Sequence, residues 1–168
     1  IEAMNEESDK NLRIQKFFKK LDWALDITAR QLNERFEFQK TALKKQFPLL
    51  MNGLWLGSGK LEPNDTIESV INQGTLAIGF IGLAECLIAL VGKHHGESEE
   101  AQELGLRIIS HMAEKINGFA ETYQHNFTFL ATPAEGLSGK FTKRDKKTFG
   151  ILPGITDKDY YTNSSHIP

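Results

Sequence analysis

Thr75 to Ile81 reads Thr-Leu-Ala-Ile-Gly-Phe-Ile, and both of its alternating faces are apolar. A strand wet on one side alternates apolar with polar residues. One that is apolar on both sides belongs in a sheet covered on both faces, as parallel sheets of α/β proteins are. The neighbouring text continues that grammar. Gly82 breaks the strand, Leu83 to Val91 follows as a helix, and Gly92 stops it. Ser98 can cap a second helix whose first turn holds Glu99 and Glu100, with the sign the helix dipole favours. Its core face runs Ala101, Leu104, Ile108, Met112, Ile116, Phe119, Tyr123, in steps of three and four. A second buried strand, Phe127 to Ala131, then leads into Thr132-Pro133-Ala134-Glu135 and another helix. Strand, helix, helix, strand, helix demands a mostly parallel sheet, so the fold class is α/β.

Two flanks surround this unit. Residues 1–47 are dominated by one long helix, Asp9 to Gln46, about 55 Å long at the α-helical rise. Ile14, Leu21 and Thr28 repeat at seven, with Phe18, Leu25 and Leu32 beside them. Ser8 or Asp9 can cap its start, and the Phe47-Pro48 step ends it. Phe17, Trp23, Phe36 and Phe38 lie off the stripe, so the helix is expected to pack against more than one surface. Residues 48–74 read as an extended segment and loop, then a short helix opened by Asp65 or Thr66 and closed by Gly74. Residues 75–149 hold the strand and helix unit. Residues 150–168 read as a loop with one more strand, Tyr160 to Pro168. Two or three strands cannot cover both faces of Thr75 to Ile81. The chain also opens without Met and ends in strand-like text. The expectation is a piece of a larger barrel or sheet.

Charge excludes several roles. Twenty Lys and Arg stand against 22 Asp and Glu, a net charge of −2, which lacks the basic excess of a nucleic-acid module. The single Cys, Cys86, excludes a disulfide framework or a Cys-rich zinc site within these residues. No apolar run reaches the ~20 residues that span a bilayer, because Glu85 interrupts the longest. A cytoplasmic protein with no membrane span and no nucleic-acid partner is expected.

Thr132-Pro133-Ala134-Glu135 is the strongest local motif. Thr at the N-cap, Pro at N1 and Glu at N3 make a capping box. Its bland reading is a well-made helix start. Its functional reading is an anion site, since the carboxyl end of a parallel strand meeting a helix is where α/β proteins bind ligands. Other candidates favour the bland reading. Cys86 sits mid-helix among apolar residues, where a thiol is inert. His94-His95 falls in a polar loop. His111 lacks a His or carboxylate at metal-site spacing. Lys140, Lys143, Arg144, Lys146 and Lys147 read as a solvated face, and no metal-ligating set emerges.

Four strings carry a more specific message: GTLAIGFIGLAECLIAL (74–90), GKHHGESEEAQELGL (92–106), FLATPAEGLSGKF (129–141) and GITDKDYYTNSSHIP (154–168). In order and spacing they resemble the anaerobic, class III ribonucleoside-triphosphate reductases. The resemblance implies a fragment of a ten-stranded α/β barrel with a long N-terminal helix. It implies glycyl-radical chemistry that converts ribonucleoside triphosphates to deoxyribonucleotides. A zinc site, nucleotide effectors, formate as reductant, a radical S-adenosylmethionine iron–sulfur activase and a homodimer come with it. Cys86 does not match the family's thiyl motif, so no catalytic residue is expected here and the piece alone should be inactive. What carries over is the turn Ala131, Thr132, Pro133, Ala134, Glu135, Gly136, which matches the family's substrate-phosphate turn. Tyr161, Thr162, Asn163 and Ser164 match a segment near the barrel centre. Ser165 stands where the family pattern has an aromatic residue. The rival expectations are another glycyl-radical enzyme, to be told apart by its upstream sequence, and a non-catalytic helical interaction module.

Overall fold

In the computed structural model, which describes residues 1–166, Asp9 starts the long helix as its sequence suggests. Its Oδ1 accepts the N–H of Leu12 at 2.9 Å, satisfying one of the orphan donors of a helix start. A short helix, α1 (Glu2–Glu6), precedes it, and the long helix itself is α2 (Lys10–Lys40). It stops at Lys40 rather than Gln46. The Thr41 hydroxyl bonds back to the Phe38 carbonyl, and Leu43 forms a bridge to Thr66 instead of another helical turn. The stripe is the buried one, with Leu25, Ala29 and Phe36 deepest. Phe36 therefore lies on the stripe, one turn beyond Leu32. Trp23 and Phe38 stay largely exposed.

Pro48 opens a helical turn, α3 (Pro48–Met51), where an extended segment was expected. Its missing N–H costs nothing at that first position. The next short helix, α4 (Glu68–Ile71), starts after Ile67 without a side-chain cap. Asp65 spends its carboxylate on the N–H of Glu62 instead.

The strand and helix unit follows the expected order: β1 (Thr75–Phe80), α5 (Leu83–Val91), α6 (Glu99–Tyr123), β2 (Asn126–Ala131) and α7 (Glu135–Phe149). Gly82 and Gly92 both take left-handed φ, at 77° and 83°, and so bracket α5. Ser98 Oγ accepts the N–H of Ala101 at 3.2 Å. Ala101, Leu104, Ile108, Met112 and Ile116 are all buried.

The two strands pair side by side. Asn126 reaches the Gly74 carbonyl at one end, and the Thr132 N–H reaches the Phe80 carbonyl at the other, so they run parallel. Only one face of β1 is covered, by way of Leu76, Ile78 and Phe80. Ala77 and Gly79 stay open, as do Thr128 and Leu130 on β2. Each strand also keeps one edge unpaired among the described residues.

The chain divides into two compact units. One gathers Ile1–Ala24, Gly79–Glu114 and the residues from Phe129 onward. Within it Lys10 pairs with Glu100, and Arg13 donates to the Ala89 carbonyl. The other holds Leu25–Ile78 and Lys115–Thr128. Its core includes Leu50, Ile67 and Val70, and the Phe36 ring lies 4.3 Å from the His125 ring.

Residues 160–166 form no strand. They bend through a tight turn in which the Asn163 N–H donates to the His166 carbonyl at 3.0 Å. Ile167 and Pro168, the last two of the expected strand, lie outside the described residues.

Candidate functional site

Both strands end on the same side of the sheet, and the chain leaves each by a different device. After β1, Ile81 and the left-handed Gly82 turn directly into α5. After β2, three residues intervene before α7. Thr132 is not the N-cap that its sequence suggests. Its side chain lies across the neighbouring strand, where a Cβ on Gly79 would stand 1.7 Å from Thr132 Oγ1. Pro133 is not N1 either. Ala134, at φ −91° and ψ 60°, makes a tight turn in which the Glu135 N–H bonds the Pro133 carbonyl at 3.1 Å. The helix begins only at Glu135, and its first regular bond runs from the Ser138 N–H to the Ala134 carbonyl. The capping box does not form: the Thr132 side chain packs over Gly79, and Ala134 takes the N-cap position.

The two groups of residues singled out by sequence meet here. The Ser164 N–H donates to the Thr132 carbonyl at 3.3 Å. Ser165 Oγ donates to Glu135 Oε1 at 2.9 Å, which gives that carboxylate a partner. Buried Asn163 binds the segment together. Its Oδ1 accepts the N–H groups of Ser165 and His166, and its Nδ2 donates to Ser138 Oγ at 3.2 Å. The Glu135 carboxyl, bonded to its own backbone N–H and to the Ser165 hydroxyl, is held below the usual carboxylate range. Gly136 faces open space, with nothing within 4 Å of where a Cβ would stand.

Sequence reasoning missed the polar cluster beneath this edge. Glu85, on the first turn of α5, is only 3% exposed. Its carboxylate accepts from Lys158 Nζ at 2.7 Å, Thr162 Oγ1 at 2.8 Å and the Thr162 N–H at 3.1 Å. The Gly82 N–H donates to the Thr162 carbonyl at 2.6 Å, so Thr162 is fastened on both sides of its peptide. Next to it Tyr161 donates its hydroxyl to Asp145 at 2.7 Å. Burial first, and then that carboxylate, push the Tyr161 phenol up. The available signal was Glu85 itself, the one charge between Thr75 and Val91.

A cavity of about 360 Å³ adjoins the cluster, lined by Glu2, Lys20, Glu85, Cys86, Asp145 and Tyr161 among others. Burial pushes the Cys86 thiol up to about 12, so it is not a nucleophile at neutral pH. His111 does have a carboxylate partner, Asp22 at 2.7 Å on α2, a spatial neighbour that spacing could not reveal. His94 turns inward to its own loop, accepting the Gly96 N–H on Nδ1. No three His, Cys, Asp or Glu side chains gather as a metal set among the described residues. No helix among them is long and apolar enough to cross a membrane.

The comparisons fit the geometry. The model of the family described as anaerobic ribonucleoside-triphosphate reductase matches residues 3–168. The Haemophilus influenzae protein of that name is 30% identical over 171 residues, 99% of this chain and 23% of the relative. The Salmonella typhimurium and Escherichia coli proteins of the same name are each 30% identical over 155 residues, covering 90% of this chain and 22% of each relative. The chain thus spans less than a quarter of the length of these curated relatives. With the match running through both strands, the turn after β2 and the segment that clasps it, this chain belongs to the anaerobic ribonucleoside-triphosphate reductase family.

Proposed function

We propose that this chain is part of the catalytic barrel of an anaerobic ribonucleotide reductase, where it supplies the turn that receives the substrate's phosphates. One observation carries the assignment. The turn Ala131–Gly136 lies at the carboxyl end of a parallel strand pair, with no side-chain N-cap on its helix and with Ser164 fastened against it. The Glu135 N–H is taken by the Pro133 carbonyl, so the N–H groups of Gly136 and Leu137 are the ones left for an anion, and the dipole favours one there. The Glu135 carboxylate keeps its charge at this helix start but is turned to Ser165, which leaves the open side at Gly136 for a phosphate to approach. Within this reading the substrate is a ribonucleoside triphosphate. In the full-length family a thiyl radical would carry out reduction at the ribose with electrons from formate in many members, while the activase would generate the stored glycyl radical and the zinc site would lie near it. Cys86 takes no radical role. The chain's own residues bind and orient the substrate, while the radical chemistry belongs to groups outside them.

Gly136 provides the test. An added methyl meets no protein atom and suits a helix better than Gly does, so Gly136→Ala should hold or slightly raise stability. The same methyl stands where a phosphate would approach the backbone. In the full-length reductase we expect Gly136→Ala to weaken triphosphate binding roughly ten-fold, the loss of one to two hydrogen bonds to a charged group. Titration calorimetry with a ribonucleoside triphosphate and the corresponding nucleoside reads this directly. Unchanged triphosphate affinity in the folded variant removes the turn from the phosphate site.

A further inference from the structure

We infer that Glu85 is a positioning residue: through Thr162 it sets the geometry of the turn at residues 132–138. The inference deepens the phosphate-turn reading and rests on it for its functional consequence, though not for its structural one.

A carboxylate that is 3% exposed is costly to bury unless every lone pair it presents finds a donor. Glu85 has three donors, and two of them belong to one residue, Thr162. A simple charge pair with Lys158 would not need them. The Thr162 carbonyl meanwhile accepts from Gly82, the residue that turns β1 into α5. Both peptide units that flank Thr162 are therefore clamped to the start of α5, one through its N–H and the other through its carbonyl.

From that clamp the contacts run one way along the chain. Asn163 donates to Ser138 on α7, the Ser164 N–H reaches the Thr132 carbonyl, and the Ser165 hydroxyl reaches Glu135. Three successive residues after Thr162 thus each hold a different point of the turn after the second strand. The other ties on the turn hold Thr132 to the first strand or lie within residues 133–138, and no side-chain cap fixes the helix start. Release of Thr162 should therefore loosen residues 132–138, although none of them touches Glu85.

The test uses the full-length reductase and two readouts. Glu85→Gln keeps size but weakens acceptance at Thr162 and leaves Lys158 unpaired. Thr162→Val deletes one bond while keeping the Glu85–Lys158 pair, and serves if Glu85→Gln fails to fold. We expect amide hydrogen exchange to rise at 162–165 and also across 132–138 in both variants, with α6 unchanged. The KM for a ribonucleoside triphosphate should rise roughly ten-fold while kcat stays within about two-fold. Glu85→Gln combined with Lys158→Met separates the roles. If Glu85 merely neutralises Lys158, the double variant returns to wild-type exchange and the inference falls. Faster exchange confined to 162–165, or no response in either single variant, overturns it as well. Faster exchange across 132–138 with no change in KM leaves Glu85 a positioning residue and removes the phosphate role from the turn.

Discussion

At the scale of single residues, Gly79 and Thr132 show how one missing side chain decides a neighbouring turn. Gly in a strand interior often marks a close approach of other chain, and here the approach is the Thr132 hydroxyl. A Cβ at position 79 would meet Thr132 Oγ1 at 1.7 Å and its Cβ at 3.0 Å. Gly79→Ala should destabilise the fold by about 1–3 kcal/mol, the range for forced overpacking. Adding Thr132→Ala removes the shorter clash and should recover part of that loss. A double-mutant cycle in chemical denaturation measures both, and strict additivity would show that the two residues do not share the space. Gly79 was legible as an oddity in an apolar strand, and Thr132 as a cap. That the one would disarm the other was not, because a local motif says nothing of what lies across the sheet.

Among the elements, α5 and α6 were readable to within a residue because their ends are written chemically: left-handed glycines at 82 and 92, a capping Ser98. The starts of α7 and the end of α2 were not. Pro133 and Glu135 promise a helix two residues too early, and nothing between Lys40 and Phe47 warns that a bridge to Thr66 will replace the last turn. The segment 160–166 carries strand-like Tyr and Thr residues, but its backbone groups are claimed by Glu85, Gly82 and Asn163 rather than by a ladder. The clasp between that segment and α7 should respond to acid. The Glu135 carboxyl is lowered in the folded protein, so the stability it lends is present above the ordinary glutamate value and lost as pH falls through the lowered one. Carbon NMR of the Glu135 carboxyl should titrate below a model glutamate, with the Ser165 amide moving at the same midpoint. Glu135→Gln should flatten the Ser165 response.

Taken whole, the chain announces its α/β character and its family through long strings, while the resemblance alone speaks of a ten-stranded barrel. The structure itself contains two parallel strands, and family membership displaces the rival of a stand-alone helical module. The apolar composition of Thr75 to Ile81 predicted cover on both faces, yet Ala77, Gly79, Thr128 and Leu130 lie open. The expected cover on both faces is therefore not met among the described residues: two strands and their helices cover one face only. The bare ladder has a practical consequence for anyone handling the 168-residue chain alone. Two unpaired edges beside an apolar face are a template onto which further copies can add their own backbone. Purified by itself, the chain should gather into oligomers as its concentration rises, with thioflavin binding developing alongside. Sedimentation velocity across a dilution series would follow the process. Lysines introduced by Ala77→Lys and Thr128→Lys should hold the chain monomeric, since like charges brought together at each new edge oppose the next addition.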